Sequence, residues 1–172
     1  MGLFTRQALF RGARLVIAIE PAPGNLECLR RNLAGEIAAG RVVAYPKGVW
    51  DKEDFLPFGG SDPTKGSVLA PPEGSSIRVH LTTIDRLVSE LGLARVDFVK
   101  MDIEGAEKKA LAGARNTIAK FKPRMAICVY HLREDPVDIP RLVRGIDPTY
   151  RTECQCLSYG ENIEAEVAHF YH

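Results

Sequence analysis

A chain of 172 residues, 45% apolar and 26% charged, has the size and composition of one globular domain that buries roughly 70% of its unfolded surface. Its 23 Lys and Arg nearly balance 22 Asp and Glu, for a net charge of +1. That excludes a basic field for nucleic acid and an acidic tail, and no apolar run approaches the roughly 18 residues that span a bilayer.

The first residues, MGLFTRQALFRGAR, carry basic side chains but no apolar core followed by a small-residue cleavage site, so a cytoplasmic protein without a membrane partner is expected. Residues 15–19, LVIAI, are a continuous apolar run closed by Glu20 and Pro21, the pattern of a strand buried on both faces. Pro23 suits a first helical turn, and Leu26, Leu29 and Leu33 share one face of the helix it opens. A second strand fits Arg41 to Tyr45. Between Asp51 and Leu81 the periodicity weakens; Phe55–Phe58 and Ile77–Leu81 are expected to pair as an antiparallel excursion. The Gly- and Pro-rich stretch between them has the length of a functional lid, and an irregular insertion is expected over about 52–81.

Regular structure returns at TTIDRLVSELG, where Thr82 or Thr83 caps a helix and Gly92 stops it. A strand over 96–101 follows, then a single helix from about Ala106 to Lys120 with Ala110, Leu111, Ala114 and Ile118 inward. A strand over 125–130 and a short amphipathic helix over 137–145 come next. Two alternating runs, 150–157 and 165–171, close the chain as an antiparallel hairpin. Cys28, Cys128, Cys154 and Cys156 include no C-x-x-C, and Cys154 and Cys156 share a strand face; they are read as reduced thiols rather than a zinc site.

Strands alternating with helices imply a mostly parallel α/β sheet covered on both faces, with ligands outside the carboxyl ends of the strands. That rule gathers Glu20, Lys47 to Asp51, Asp102 to Glu104 and His131 on one rim. Glu20 lies 18 residues after Gly2, close to the spacing at which an acid accepts hydrogen bonds from a ribose diol; the alternative is an acid capping the helix at Pro23. Asp102, an acid at a strand end, needs a partner. Glu104 faces the same way or caps the next helix, and Glu107 falls where its charge complements the helix dipole. His131 is suited to general-base chemistry near neutral pH, or is a hydrogen-bonded surface residue.

VIAIEPAPGNLECLRRNL, the KGVWD turn, TTIDRL, VDFVKMDIEGAEKKALAGA and AICVYHLRED together resemble the FkbM-type S-adenosylmethionine-dependent methyltransferases over nearly the whole chain. The resemblance implies a Rossmann-like class I fold: a seven-stranded, mostly parallel sheet with a reversed final hairpin, forming one methyltransferase-like domain over residues 1–172. It implies that Glu20 holds the cofactor ribose, that Gly48, Val49, Trp50 and Asp51 border its adenine, and that Asp102, Glu104 and His131 face the methyl acceptor. Trp50 either stacks or fills core. The implied acceptor is a small-molecule hydroxyl, often on a sugar or secondary metabolite. A base, His131 or Asp102, removes its proton; magnesium on Asp102 and Glu104 is the alternative activator.

Members of this family open with a strand and a glycine-rich turn, and Met1 to Thr5 here is similar to the tail of that turn, with Gly2 as its last glycine. The sheet is therefore expected to lack its first, central strand, between the strands ending at Glu20 and at Asp102. Three accounts of that gap stay open: an upstream start, an edge covered by a partner or second copy, or a chain that closes its own gap. A non-catalytic binding protein and a nicotinamide-dependent oxidoreductase are the competing functions.

Overall fold

The computed structural model describes residues 1–59, 77–159 and 162–172. In chain order the described elements are α1 (Leu3–Phe10), β1 (Val16–Ile19), α2 (Pro23–Asn32), α3 (Ala34–Ala38), β2 (Val42–Tyr45), β3 (Gly48–Val49), β4 (Asp54–Pro57), β5 (Arg78–Thr82), α4 (Ile84–Glu90), β6 (Phe98–Met101), α5 (Glu107–Ala112), α6 (Arg115–Phe121), β7 (Arg124–Cys128), α7 (Asp135–Ile146), β8 (Arg151–Tyr159) and β9 (Asn162–Tyr171). They form an α/β fold with mixed sheets: a parallel pair β1-β2, a three-stranded sheet β3-β5-β4 and a four-stranded sheet β6-β7-β9-β8. Among the described residues no helix is long and apolar enough to cross a membrane. The chain divides into two compact units, residues 1–48 with 54–81 and residues 49–53 with 82–172.

In the first unit β1 and β2 run parallel, Val16 opposite Val42 through Ile19 opposite Tyr45. Helix α2 starts with Pro23 in its first turn after Ala22 in an extended conformation, since the proline ring presets the helical φ and lacks only an N–H that would go unbonded there. Leu26, Leu29 and Leu33 of the predicted apolar face join Leu9 and Val42 in one core. Every residue of β1 is only half-buried, against the expectation of burial on both faces, because β1 pairs along one edge alone among the described residues. Helix α1 was not signalled by periodicity; Leu3 and Phe10 are among its exposed side chains, so the apolar positions trace no single inward stripe. The antiparallel excursion forms as expected, with Phe55 opposite His80 and Leu56 opposite Val79. The expected lid between its arms falls mainly on residues 60–76, outside the described residues.

In the second unit β6 and β7 are parallel, Phe98 opposite Arg124 through Met101 opposite Ile127, and β9 runs antiparallel to both β7 and β8. The closing hairpin is thus present. Strand β6 is an edge of its sheet among the described residues, with Phe98 half-exposed at 49%. Leu111, Ile118, Met125, Ile127, Val143 and Phe170 lie at the centre of the core.

The single helix expected over 106–120 is two helices. After α5, Asp85 reaches in from α4: its carboxylate accepts from the backbone N–H groups of Asn116 at 3.0 Å and Thr117 at 2.7 Å. It thereby caps α6 from outside the segment. The Gly113 carbonyl is diverted to the Asp85 N–H at 3.0 Å. Thr83 caps α4 as expected, accepting from the Arg86 N–H at 3.0 Å, and Gly92 follows with φ +60°. At the α5–α6 break a Cβ on Gly113 would sit 2.0 Å from the backbone oxygen of Trp50, so only a residue without one fits. Gly113→Ala is therefore expected to destabilise the fold by about 1–3 kcal/mol or more through overpacking against backbone, read as a lower urea midpoint; an unchanged midpoint would refute the close approach.

Candidate active site

Because β6 and β7 are parallel, their carboxyl ends meet at one end of the sheet, and each is followed by polar side chains. Asp102 follows the last residue of β6. The chain then reverses through Glu104 at φ +55° and Gly105 at φ +92° before α5 begins at Glu107. Glycine adopts that left-handed conformation freely, but for glutamate it costs roughly 1–2 kcal/mol. The strain brings Ile103 and Glu104 round so that the backbone N–H of Ile103 donates to Glu107 Oε1 at 2.8 Å and a Glu104 carboxylate oxygen comes 3.6 Å from His131 Nε2.

Glu107 has no exposed surface. Its place in the first turn of α5 complements the helix dipole as expected, yet that is half of its role. Oε1 also lies 3.1 Å from His131 Nδ1, the two side chains being 0% and 9% exposed. Oε2 is buried without a hydrogen-bond partner among the described residues. A buried carboxylate that loses its solvation demands a paired cation or donors, and His131 is the cation available.

His131 Nε2 points the other way, 3.7 Å from Asp102 Oδ1 and 3.6 Å from Glu104 Oε2; neither ring nitrogen makes an aligned hydrogen bond to a described residue, so the approach of Nδ1 to Glu107 is a charge contact. Burial disfavours the imidazolium, but the carboxylates outweigh it, Glu107 first, then Glu104 and Asp102, so the pKa of His131 is raised. Asp102 is held from its other side: Tyr130 donates its hydroxyl to Oδ1 at 3.0 Å and Lys100 Nζ lies 3.2 Å from Oδ2. Burial pushes the Asp102 pKa up, yet Lys100 and the Tyr130 hydroxyl leave it below its ordinary value. The Tyr130 ring packs tilted on the imidazole, centroids 4.2 Å apart. Desolvation and Asp102 raise the pKa of the Tyr130 hydroxyl, which therefore keeps its proton. The arrangement has a hydrogen-bonded carboxylate, a second carboxylate and a basic imidazole nitrogen side by side, which suits it to take a proton from a polar acceptor.

Asp102, Glu104 and His131, predicted from the sequence, are thus brought together. Glu107, Tyr130 and Lys100 were missed as members; Tyr130 adjoins His131 in the chain, the one signal that pointed to it. Among the described residues no group of three or more His, Cys, Asp or Glu side chains is arranged to hold a metal ion.

The other predicted residues have separate surroundings. In the first unit Glu20 follows β1 and is partly buried; Oε1 accepts from the Ala22 N–H at 2.9 Å. Desolvation raises its pKa, while Ala22 and the Asn25 side chain oppose that shift. That contact is to the residue preceding α2, which itself has no side-chain cap. A carboxylate has about four acceptor positions, so the residue still suits a diol, and in that respect the chain fits a nucleoside. Gly48 is buried, where a Cβ would lie 2.6 Å from Leu81 Cδ2. Gly2 precedes α1 with φ +88°, its Cα facing Leu33. In the second unit Val49 packs against the core. Trp50 is buried, with Lys109 Nζ 5.6 Å from its ring centroid. Asp51 pairs with Lys109 at 2.7 Å.

A family model described as the Methyltransferase FkbM domain matches residues 3–152. A crystal structure of Methyltransferase FkbM from Methylobacillus flagellatus KT is similar with a TM-score of 0.72 at 25% identity, over 99% of this chain and 40% of that one. The chain thus spans about 40% of the length of that protein. No curated protein matches the chain.

The raised folded pKa of His131 sets a pH dependence of stability. Its contribution is fully present below the unfolded value of about 6.5 and is lost as pH rises through the higher folded value. Urea midpoints across that window are expected to fall with rising pH in the wild type and to flatten in His131→Gln; parallel curves for the two proteins would show that the ion pair with Glu107 does not operate.

Proposed function

Because the chain belongs to the FkbM methyltransferase family, we propose that it transfers a methyl group from S-adenosylmethionine to a hydroxyl oxygen of a small molecule, a sugar or secondary metabolite. In this reading the strands belong to a Rossmann-like class I sheet, with β8 and β9 as its reversed final hairpin. The observation that supports the proposal is His131, whose Nδ1 lies 3.1 Å from buried Glu107 while its Nε2 faces Asp102 and Glu104 at 3.7 and 3.6 Å.

S-adenosylmethionine, when bound, supplies an electrophilic methyl carbon on a sulfonium. An alcohol is a weak nucleophile, so its proton must leave as the new bond forms. Nε2 of His131 accepts that proton. Glu107 stabilises the imidazolium that results and fixes the ring through Nδ1. Asp102, oriented by Tyr130 and Lys100, accepts a hydrogen bond from the acceptor and positions its oxygen, and Glu104 accepts from a neighbouring donor. Positioning of this kind supplies much of the acceleration in a transfer reaction. In the first unit Glu20 accepts from the ribose hydroxyls, with Gly2 and Gly48 as the close-packed backbone positions of that unit; in the second unit Val49, Trp50 and Asp51 are the residues assigned to the adenine.

Calorimetric titration with S-adenosylhomocysteine is expected to give saturable binding near one per chain in the micromolar range, weakened in Glu20→Ala. A folded chain that gives no heat, or equal affinities for the two proteins, would count against the cofactor assignment. With an acceptor in hand, His131→Ala is expected to lose about 10²–10⁴-fold in turnover, the range for removal of a general base. Glu107→Gln is expected to move the acid limb of the rate profile to lower pH, because losing the carboxylate lowers the pKa of His131; a limb that stays put would assign the proton transfer elsewhere.

A further inference from the structure

We propose that Cys154 and Cys156 are a reversible dithiol–disulfide couple, a redox modification site on the outer strand β8 that is independent of the methyl-transfer reading. Both thiols are exposed, and β8 is an edge strand of the four-stranded sheet among the described residues, so a small oxidant reaches them without any unfolding. The Cys156 thiol donates toward the Cys154 sulfur with the two atoms 3.8 Å apart, in van der Waals contact.

Two residues of a regular strand advance about 6.6 Å, close to the upper limit of the Cα separations a disulfide tolerates, so contact between such sulfurs needs local help. The pairing of β8 with β9 is irregular at this point: Gln155 is opposite Val167 but Cys156 is opposite Ala165, a register shift between the two. A bulge bends the ladder and sharpens its twist. The extra residue, Glu166, belongs to the partner strand β9, and the twist it adds to the pair takes β8 out of a flat pleat here. The residues opposite the cysteines are Ala168 and Ala165, whose methyl groups leave the sulfurs room to approach.

Closure to a bond of about 2.05 Å proceeds by exchange. One thiolate attacks a sulfur of a small disulfide such as oxidised glutathione, and one glutathione thiolate leaves. The second cysteine thiolate then attacks the cysteinyl sulfur of the mixed disulfide, forming the Cys154–Cys156 bond and expelling the second glutathione. Two electrons and two protons leave the protein, and the oxidant is reduced to two thiols. Partial desolvation and the neighbouring Cys156 raise the Cys154 pKa, so the thiolate is scarce near neutral pH and the exchange, slow there, quickens as pH rises. A ring closed across only one intervening residue is strained, which places this couple among the easily reduced, switchable disulfides rather than the structural ones. The other two cysteines serve as internal controls: Cys28 is exposed and Cys128 is buried.

The test is to equilibrate the folded chain in a series of reduced-to-oxidised glutathione ratios, trap free thiols with N-ethylmaleimide and weigh the fragment containing both residues. The expected result is a fragment lighter by two hydrogens, without maleimide or glutathione, restored by dithiothreitol. Cys154→Ser and Cys156→Ser are each expected to hold one glutathione on the thiol that remains. A wild-type fragment with two maleimides at the oxidising end, or a stable glutathione adduct on either cysteine, would overturn the proposal.

Discussion

One buried charge organises the second unit. Glu107 has no exposed surface, and a carboxylate taken out of water costs several kcal/mol unless donors and a cation replace the solvent. The Ile103 N–H and the His131 imidazole are those replacements, and each fixes something else. To offer the Ile103 N–H, the chain after β6 turns back through a strained Glu104. To offer its Nδ1, His131 turns Nε2 toward Asp102 and Glu104. The turn, the ring orientation and the raised basicity of His131 are therefore one arrangement, and it is electrostatically one-sided: three carboxylates face a single imidazole.

The surrounding fold supplies the rigidity this needs. Parallel pairing of β6 with β7 brings the turn and His131 to the same end of one sheet. Beneath them Met101, Ala110, Leu111 and Ile127 form a core that holds α5 in place. Asp85 starts α6 by capping it from a distant helix, and Gly113 lets that junction lie against the Trp50 backbone. None of these contacts touches His131, but each limits how far α5, and with it Glu107, is able to move.

Much of this was legible in the sequence, and the parts that were not share a cause. The apolar run before Glu20, Pro23 at a helix start, Thr83 as a cap and the alternating runs of the final hairpin are local signals, read from neighbours in the chain. The division of α5 from α6 was not legible because its cap, Asp85, is remote in sequence. Glu107 looked fully explained by the helix dipole, so nothing local announced that its carboxylate is buried against His131. Glu104 in a left-handed turn carries no signal either, since glutamate is not a turn former; the structure around it imposes the conformation. The sequence and the family resemblance left the base open between His131 and Asp102; the proposed mechanism takes His131 because Asp102 is already engaged by Tyr130 and Lys100.

The central claim is that Glu107 makes His131 a stronger base than an ordinary histidine. It is tested most directly by following the imidazole nitrogens of His131 by NMR across a pH titration, in the wild type and in Glu107→Gln. The expected result is a wild-type pKa above about 6.5, a proton held on Nδ1 in the neutral ring, and a fall in pKa once the carboxylate becomes an amide. A wild-type value at or below 6.5, unchanged by the substitution, would contradict it.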